Sequence, residues 1–227
     1  MGEVIQIPSP GVPIEFGIPG HPLVVVVHDW YGRLQGVLRY AELLAESGFH
    51  VVVPDLYDGV ATLDDDTAEE LLDRLDLGFT LATLDDVIRV GRESGSPRTG
   101  LVGFSAGGWL ALLAAQAGSV DAVVAYYASL SSDEHGIIPA PVLLHFAEED
   151  SWAPDQEPAA FIERLREHET PVTEHIYPNT THSFANSSIE GAYSVQSAGF
   201  AFARTVTFLK DHLIDDIDLL DLELDVD

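Results

Sequence analysis

Ser105 lies in the stretch "LVGFSAGGWLALLAAQAG", Leu101 to Gly118, alone between glycines where a short apolar run gives way to one of helical length. Gly-x-Ser-x-Gly in that setting is the pattern of a nucleophile carried on a sharp strand-to-helix turn. A turn so tight crowds its neighbours, so Gly103 and Gly107 make room and Gly108 lets the helix approach the sheet. The geometry lifts the hydroxyl above the C-terminal edge of the strands, where open α/β sheets bind ligands. The first backbone N–H of the new helix, at Ala106, is suited to hold an oxyanion.

A serine hydroxyl is a weak nucleophile without a base, and this arrangement calls for an acid and then a histidine further along the chain. Asp150 in "LLHFAEEDSWAP" and His182 in "YPNTTHSF" stand in that order, each just past an apolar run. His182 would take the serine proton and return it to the leaving group, while Asp150 would fix the imidazole tautomer. Glu148, Glu149 and Asp155 compete for the acid's role. Asp150 is preferred because Asp155 has the position of a helix cap and the glutamates lie nearer the strand end. The second oxyanion donor is expected from the loop after "LVVVVH", at the backbone N–H of Trp30 in "HDWYG". Asp29 beside it is either a functional carboxylate near Ser105 or a turn residue bonding its own backbone. Trp30, Tyr31, Tyr57, Tyr127 and Trp152 fall at loops or strand ends on the same edge, as substrate-binding wall or as rim packing.

These residues need a parallel sheet to hold them. Apolar runs rich in β-branched residues alternate with segments of helical period, the pattern of an α/β fold with helices on both faces. Strands are predicted at Leu23 to His28, His50 to Pro54, Thr99 to Phe104, Asp121 to Tyr127, Pro141 to Phe146 and Val172 to Pro178. A shorter antiparallel edge is expected from Val4 to Ile7 or from Ile14 to Phe16. Helices are predicted at Gln35 to Glu46, Thr67 to Arg92 (long enough to be two, broken near Gly78), Ala106 to Ala117, Asp155 to His168 and Val195 to His212. The expectation is one domain over residues 1–213 and an acidic tail over 214–227.

Bulk composition narrows the function classes. Hydrophobic residues make up 46% of the 227, no cysteine is present, and no run approaches the length of a membrane span. The histidines show no metal-ligand spacing, and His21, His28, His50 and His145 read as strand-end or core residues. Phosphate-binding glycine motifs and basic aromatic patches are missing, so neither a cofactor nor a nucleic-acid partner is expected. Thirty-eight acids against 10 bases give a formal charge of -28, with Lys210 the one lysine, and seven acids follow in Asp215 to Asp227 without a base. Such a surface repels nucleic acid and anionic membranes. It is expected of a soluble cytoplasmic protein, monomer or homodimer, adapted to high internal salt.

The chain resembles the dienelactone hydrolase family of α/β hydrolases from about Leu23 to Leu209. The likeness rests on "HDWYG", "GFHVVVPDLYDG", "VGFSAGG", "DAVVAYYA", "AEEDSWAP" and "YPNTTHSFAN" in order. It implies a compact hydrolase without a large separate lid, a Ser105, Asp150, His182 triad, oxyanion donors at Trp30 and Ala106, and a counterpart at Asp29 of a glutamate beside the nucleophile. Two features depart from the best-known members: serine replaces their cysteine, and Asn186 stands where an arginine grips the substrate carboxylate. The resemblance therefore implies general ester or lactone chemistry on small molecules more than hydrolysis of an anionic dienelactone. A peptidase on the same triad, or a non-catalytic binder, is the alternative.

Salt reduces the Debye length from about 10 Å at 0.1 M to about 3 Å at 1 M, weakening self-repulsion. The urea midpoint is accordingly expected to rise between 0.1 and 3 M KCl, and an unchanged midpoint would remove the case for salt adaptation.

Overall fold

The computed structural model describes residues 4–151 and 157–214. Its elements run β1 (Val4–Gln6), β2 (Ile14–Phe16), β3 (Leu23–Val27), α1 (Gln35–Glu46), β4 (His50–Val53), β5 (Val60–Thr62), α2 (Asp65–Asp73) and α3 (Leu77–Glu93). They continue β6 (Thr99–Phe104), α4 (Ala106–Ala115), β7 (Ala122–Tyr126), β8 (Val142–Glu149), α5 (Pro158–Glu167), β9 (Val172–Thr181) and α6 (Val195–Leu213). The main sheet has seven strands in the order β2-β4-β3-β6-β7-β8-β9, parallel except for β2 at its edge. This is the expected α/β hydrolase architecture. Among the described residues there is no large separate domain, and no helix is long and apolar enough to cross a membrane.

The strands are apolar throughout because both faces are covered. Alternate residues of β3 feed two cores. Leu23, Val25 and Val27 pack with Leu84 and Ile88 of α3, Leu110 of α4 and Phe161 of α5, while Val24 and Val26 meet Val37 and Leu44 of α1 and Leu209 of α6. Helix α4 is apolar on nearly every side, which suits a helix wedged against the middle of the sheet.

Several boundaries differ from expectation. The antiparallel edge is Ile14–Phe16, and Val4–Gln6 pairs instead with β5, a three-residue strand that was too short to leave a periodic signal. The long helical segment does divide, but before Gly78. Asp76 caps α3 by accepting the Phe79 N–H at 2.9 Å, so the capping carboxylate and not the glycine sets the break. Strands β8 and β9 each run three residues beyond the apolar pattern, ending in polar side chains. Asp155, expected to cap α5, lies outside the described residues together with Trp152 and 215–227; α5 opens at Pro158.

Beneath the sheet a chain of buried polar groups ties α6 and α1 to β7, β8 and β9. The Thr205 hydroxyl meets Tyr126 Oη at 2.8 Å and His145 Nε2 at 3.0 Å; Tyr40 Oη reaches Tyr126 Oη at 3.0 Å and Tyr177 Oη reaches His145 Nδ1 at 2.9 Å. Burial holds His145 well below the usual histidine range, so it stays neutral and both ring nitrogens serve the network. Thr205→Val strips His145 Nε2 of its partner and is expected to lower stability by about 1–3 kcal/mol. Urea unfolding should show it as a fall in midpoint with an unchanged m value.

Candidate active site

The end of β6 determines the site. Phe104 completes the strand, Ala106 begins α4, and Ser105 between them holds φ 51° and ψ -118°. A left-handed backbone at a residue with a Cβ is unfavourable by about 1–3 kcal/mol and survives only when the surroundings impose it. Here the Ser105 N–H donates to Tyr126 O of β7 and the Trp109 N–H to Ser105 O, both at 2.9 Å. The two glycines predicted to make room do so: a Cβ on Gly103 would run into the Gly107 carbonyl, and one on Gly107 into the His28 carbonyl at the end of β3.

Ser105 Oγ lies 2.7 Å from His182 Nε2, and His182 Nδ1 lies 2.8 and 3.0 Å from the two carboxylate oxygens of Asp150. The three side chains are thus hydrogen-bonded in series. Neither competing glutamate occupies Asp150's place; Glu148 instead accepts the Asn179 N–H at 2.7 Å. Asp150 and His182 are brought together by β8 and β9, whose pairing runs regularly to Ala147 opposite Tyr177 and then shifts, so that Glu149 faces Thr181. Asn179 at φ 55° takes up the extra residues, leaving Asp150 and His182 each one residue past this last pair. The imidazole is buried, with the Tyr127 ring 4.8 Å away, whereas Asp150 is partly exposed.

The loop after β3 forms the opposite wall. Asp29 is buried; its Oδ1 accepts the Tyr31 N–H at 3.0 Å and its Oδ2 accepts from Asn186 Nδ2 at 2.6 Å. Asp29 thus makes the local turn bond of one of its two sequence readings. Burial raises its carboxyl to about 6, opposed by the Asn186 and Tyr31 hydrogen bonds and by His182. Asn186 is turned toward Asp29, and its Oδ1 accepts the Ser188 N–H at 2.9 Å. Nothing in the sequence signalled this bond across 157 positions.

Next to Asp29, His28 is buried and lowered to about 4, chiefly by desolvation. Its Nδ1 donates to the Asp29 carbonyl at 2.7 Å and its Nε2 accepts the Leu56 N–H at 3.2 Å, which fixes the neutral tautomer. Tyr57 packs edge-on to His28 at 5.1 Å. Tyr31 gives its hydroxyl to Asp65 at 2.7 Å, tying the wall to α2, and Trp30 stands edge-on to the Tyr31 ring at 5.4 Å. Tyr127, beside His182, also lines a cavity of about 520 Å³ that reaches from Asp150 along α5 to β9, walled by Phe146, Ile162 and Ile176. Sequence reasoning missed those three aliphatic and aromatic walls because as core-type residues they carry no distinguishing signal. Among the described residues no cluster of histidine and carboxylate side chains could hold a metal ion.

With this geometry in place, comparison with known proteins is decisive for ancestry. The model of the dienelactone hydrolase family matches residues 16–213. The chain belongs to the dienelactone hydrolase family. Among relatives, Protein usf of Aquifex pyrophilus is 26% identical over 232 residues, covering 94% of this chain and 100% of that one. Carboxymethylenebutenolidase of Pseudomonas putida is 29% identical over 203 residues, 83% of this chain and 85% of the relative. The crystal structure of dienelactone hydrolase from Anabaena variabilis superposes with a TM-score of 0.65 at 19% identity, over 94% of this chain and 98% of that one, a likeness of fold. Dienelactone hydrolase membership and the observed strand order agree on an α/β hydrolase.

The neighbours His28 and Asp29 act oppositely on stability in acid. His28, depressed when folded, contributes stability above pH 6.5 that is lost as pH falls toward 4, whereas Asp29, raised when folded, adds stability as pH falls from 6 toward 4. Asp29→Asn lacks that gain. Between pH 7.5 and 4.5 it is expected to lose on the order of 2 kcal/mol relative to wild type, read from urea midpoints at the two pH values.

Proposed function

We propose that this member of the dienelactone hydrolase family is a serine hydrolase that cleaves small carboxylic esters or lactones through an acyl-enzyme. The observation that carries the reading is the continuous relay from Ser105 Oγ through His182 to Asp150. In the first half-reaction Ser105 Oγ attacks the substrate carbonyl carbon while His182 Nε2 takes its proton. The carbonyl π electrons move to oxygen, where the backbone N–H groups of Ala106 and Trp30 are assigned to stabilise the charge. Collapse of the intermediate breaks the ester C–O bond, and His182 passes the proton to the leaving alkoxide. Water then repeats the sequence on the acyl-enzyme and frees Ser105. Asp150 holds the Nδ1–H tautomer that leaves Nε2 free to accept, and it stabilises the imidazolium. A lactone follows the same path, its alcohol remaining attached to the acyl chain.

Relatives named carboxymethylenebutenolidase support ester or lactone bonds as the target class. The acid excess supports a cytoplasm of high salt as the working environment.

Hydrolysis of p-nitrophenyl acetate and butyrate at 0.1 and 3 M KCl tests the reading. Ser105→Ala with native circular dichroism should lose about 10⁴-fold or more in kcat, and Asp150→Asn about 10³ to 10⁴-fold. Wild-type activity that survives in Ser105→Ala, or wild-type protein that neither turns over these esters nor takes up a fluorophosphonate label, would overturn it.

A further inference from the structure

The turn that carries His182 and the turn assigned the second oxyanion donor come from distant parts of the chain, and one side chain spans them. His182 is followed by Ser183 at φ 67°, a left-handed backbone that relaxes unless its neighbours hold it. Asn186 closes that turn by giving its N–H to Ser183 O at 2.9 Å. Its side chain then reaches out of the turn: Nδ2 donates to Asp29 Oδ2 at 2.6 Å, and Oδ1 accepts the Ser188 N–H at 2.9 Å. Asp29 Oδ1 accepts the Tyr31 N–H at 3.0 Å, so the same carboxylate closes the loop around Trp30. A second bond runs alongside, from the Gly36 N–H in the first turn of α1 to Ser188 Oγ at 2.9 Å.

Gly36 is an independent sign of this docking. It has no left-handed φ, so its own backbone does not call for glycine, and glycine weakens a helix relative to alanine. A Cβ at this position would lie 2.6 Å from Asn186 Oδ1 and 2.9 Å from Ser188 N and Oγ. The close approach of the Asn186 turn, and not α1 itself, accounts for the residue. Asn186 and Asp29 are both buried, and neither lines the cavity that reaches Asp150. They act on the reaction through the turns they join.

We infer that Asn186 is a positioning residue, whose amide, clasped by the Asp29 carboxylate, sets the His182 turn against the Trp30 turn and so fixes the base relative to the oxyanion donor. The inference rests on the serine-hydrolase reading above and adds to it the contact that holds two parts of its machinery in register.

A reciprocal exchange isolates the bond. In Asp29→Asn the new side chain keeps an oxygen for the Tyr31 N–H but presents an amide to an amide. In Asn186→Asp the Ser188 and Tyr31 bonds remain, while two carboxylates face each other where the middle bond was. With both exchanges together, Asn at 29 donates to Asp at 186, and all three bonds are restored with donor and acceptor reversed.

Values of kcat and KM for p-nitrophenyl butyrate are measured at pH 8, above the Asp29 value of about 6, on proteins with native circular dichroism. Each single exchange should lower kcat about 10- to 100-fold with KM held within about twofold, because misplacement of reacting groups is felt in the chemical step. The double exchange should return kcat to within about fivefold of wild type, the coupling expected of two residues in one bond. Gly36→Ala leaves both partners unaltered but presses a methyl group on Asn186 Oδ1, and it should lower kcat about tenfold.

Wild-type kcat in the folded single exchanges assigns the pair to stability alone and overturns the inference. So does a raised KM at unchanged kcat, or a double exchange as slow as the single ones. Where the exchanges at 29 do not fold, Gly36→Ala decides: a lower kcat at constant KM supports the role, and an unchanged kcat overturns it. Fluorophosphonate labelling of the wild type keeps the two readings apart. A labelled wild type with unaffected variants overturns the positioning role only, whereas a wild type that neither turns over the ester nor takes the label overturns the hydrolase reading with it.

Discussion

A left-handed backbone at a residue that carries a Cβ is a conformation a chain abandons unless its surroundings forbid relaxation. Ser105 is held there by hydrogen bonds to β7 and α4 and by glycines pressed against carbonyl groups on two sides. Those contacts exist only if β3, β6 and β7 lie parallel and adjacent and α4 packs directly on them. The apolar runs of the central strands and the almost wholly apolar α4 thus do more than fill a core. They keep the half-buried serine hydroxyl at the sheet edge, at a fixed height relative to the ends of β8 and β9.

That dependence explains how much was legible beforehand. Central strands buried on both faces announce themselves as continuous apolar runs, and Gly-Phe-Ser-Ala-Gly can occupy few places other than a strand-to-helix turn. Ser105, Asp150 and His182 could be named because each follows such a run. What escaped was decided by partners distant in sequence. The bond from Asn186 to Asp29 has no local signature, and the polar ends of β8 and β9 continue as strand only because they pair with each other. Tyr40 carries a hydroxyl, yet it is buried in the α1 interface because Tyr126 meets that hydroxyl. The break between α2 and α3 falls near Gly78 as read, but the capping carboxylate of Asp76 sets it.

Charge is distributed with a marked division. The outer surface is crowded with carboxylates, some of them paired with nearby arginines. The interior near Ser105 holds the neutral His28, tyrosines and Asp29, whose burial opposes its ionisation. Arg33 shows the same division from the other side: a buried guanidinium is employed to gather four backbone carbonyls of the N-terminal segment and the end of β4. The positive charge of Arg33 serves architecture in this chain.

The register shift between β8 and β9 carries a consequence for how such a protein can diversify. The histidine and its acid are each anchored one residue beyond a strand pair, so their separation is measured by backbone ladder bonds and not by the connecting segments. The turn that follows Asn186 can change length and composition without disturbing the distance between the imidazole and the carboxylate. The contact between His182 and Asp150 and the loops around it are therefore separable inheritances, written in different parts of the same polypeptide.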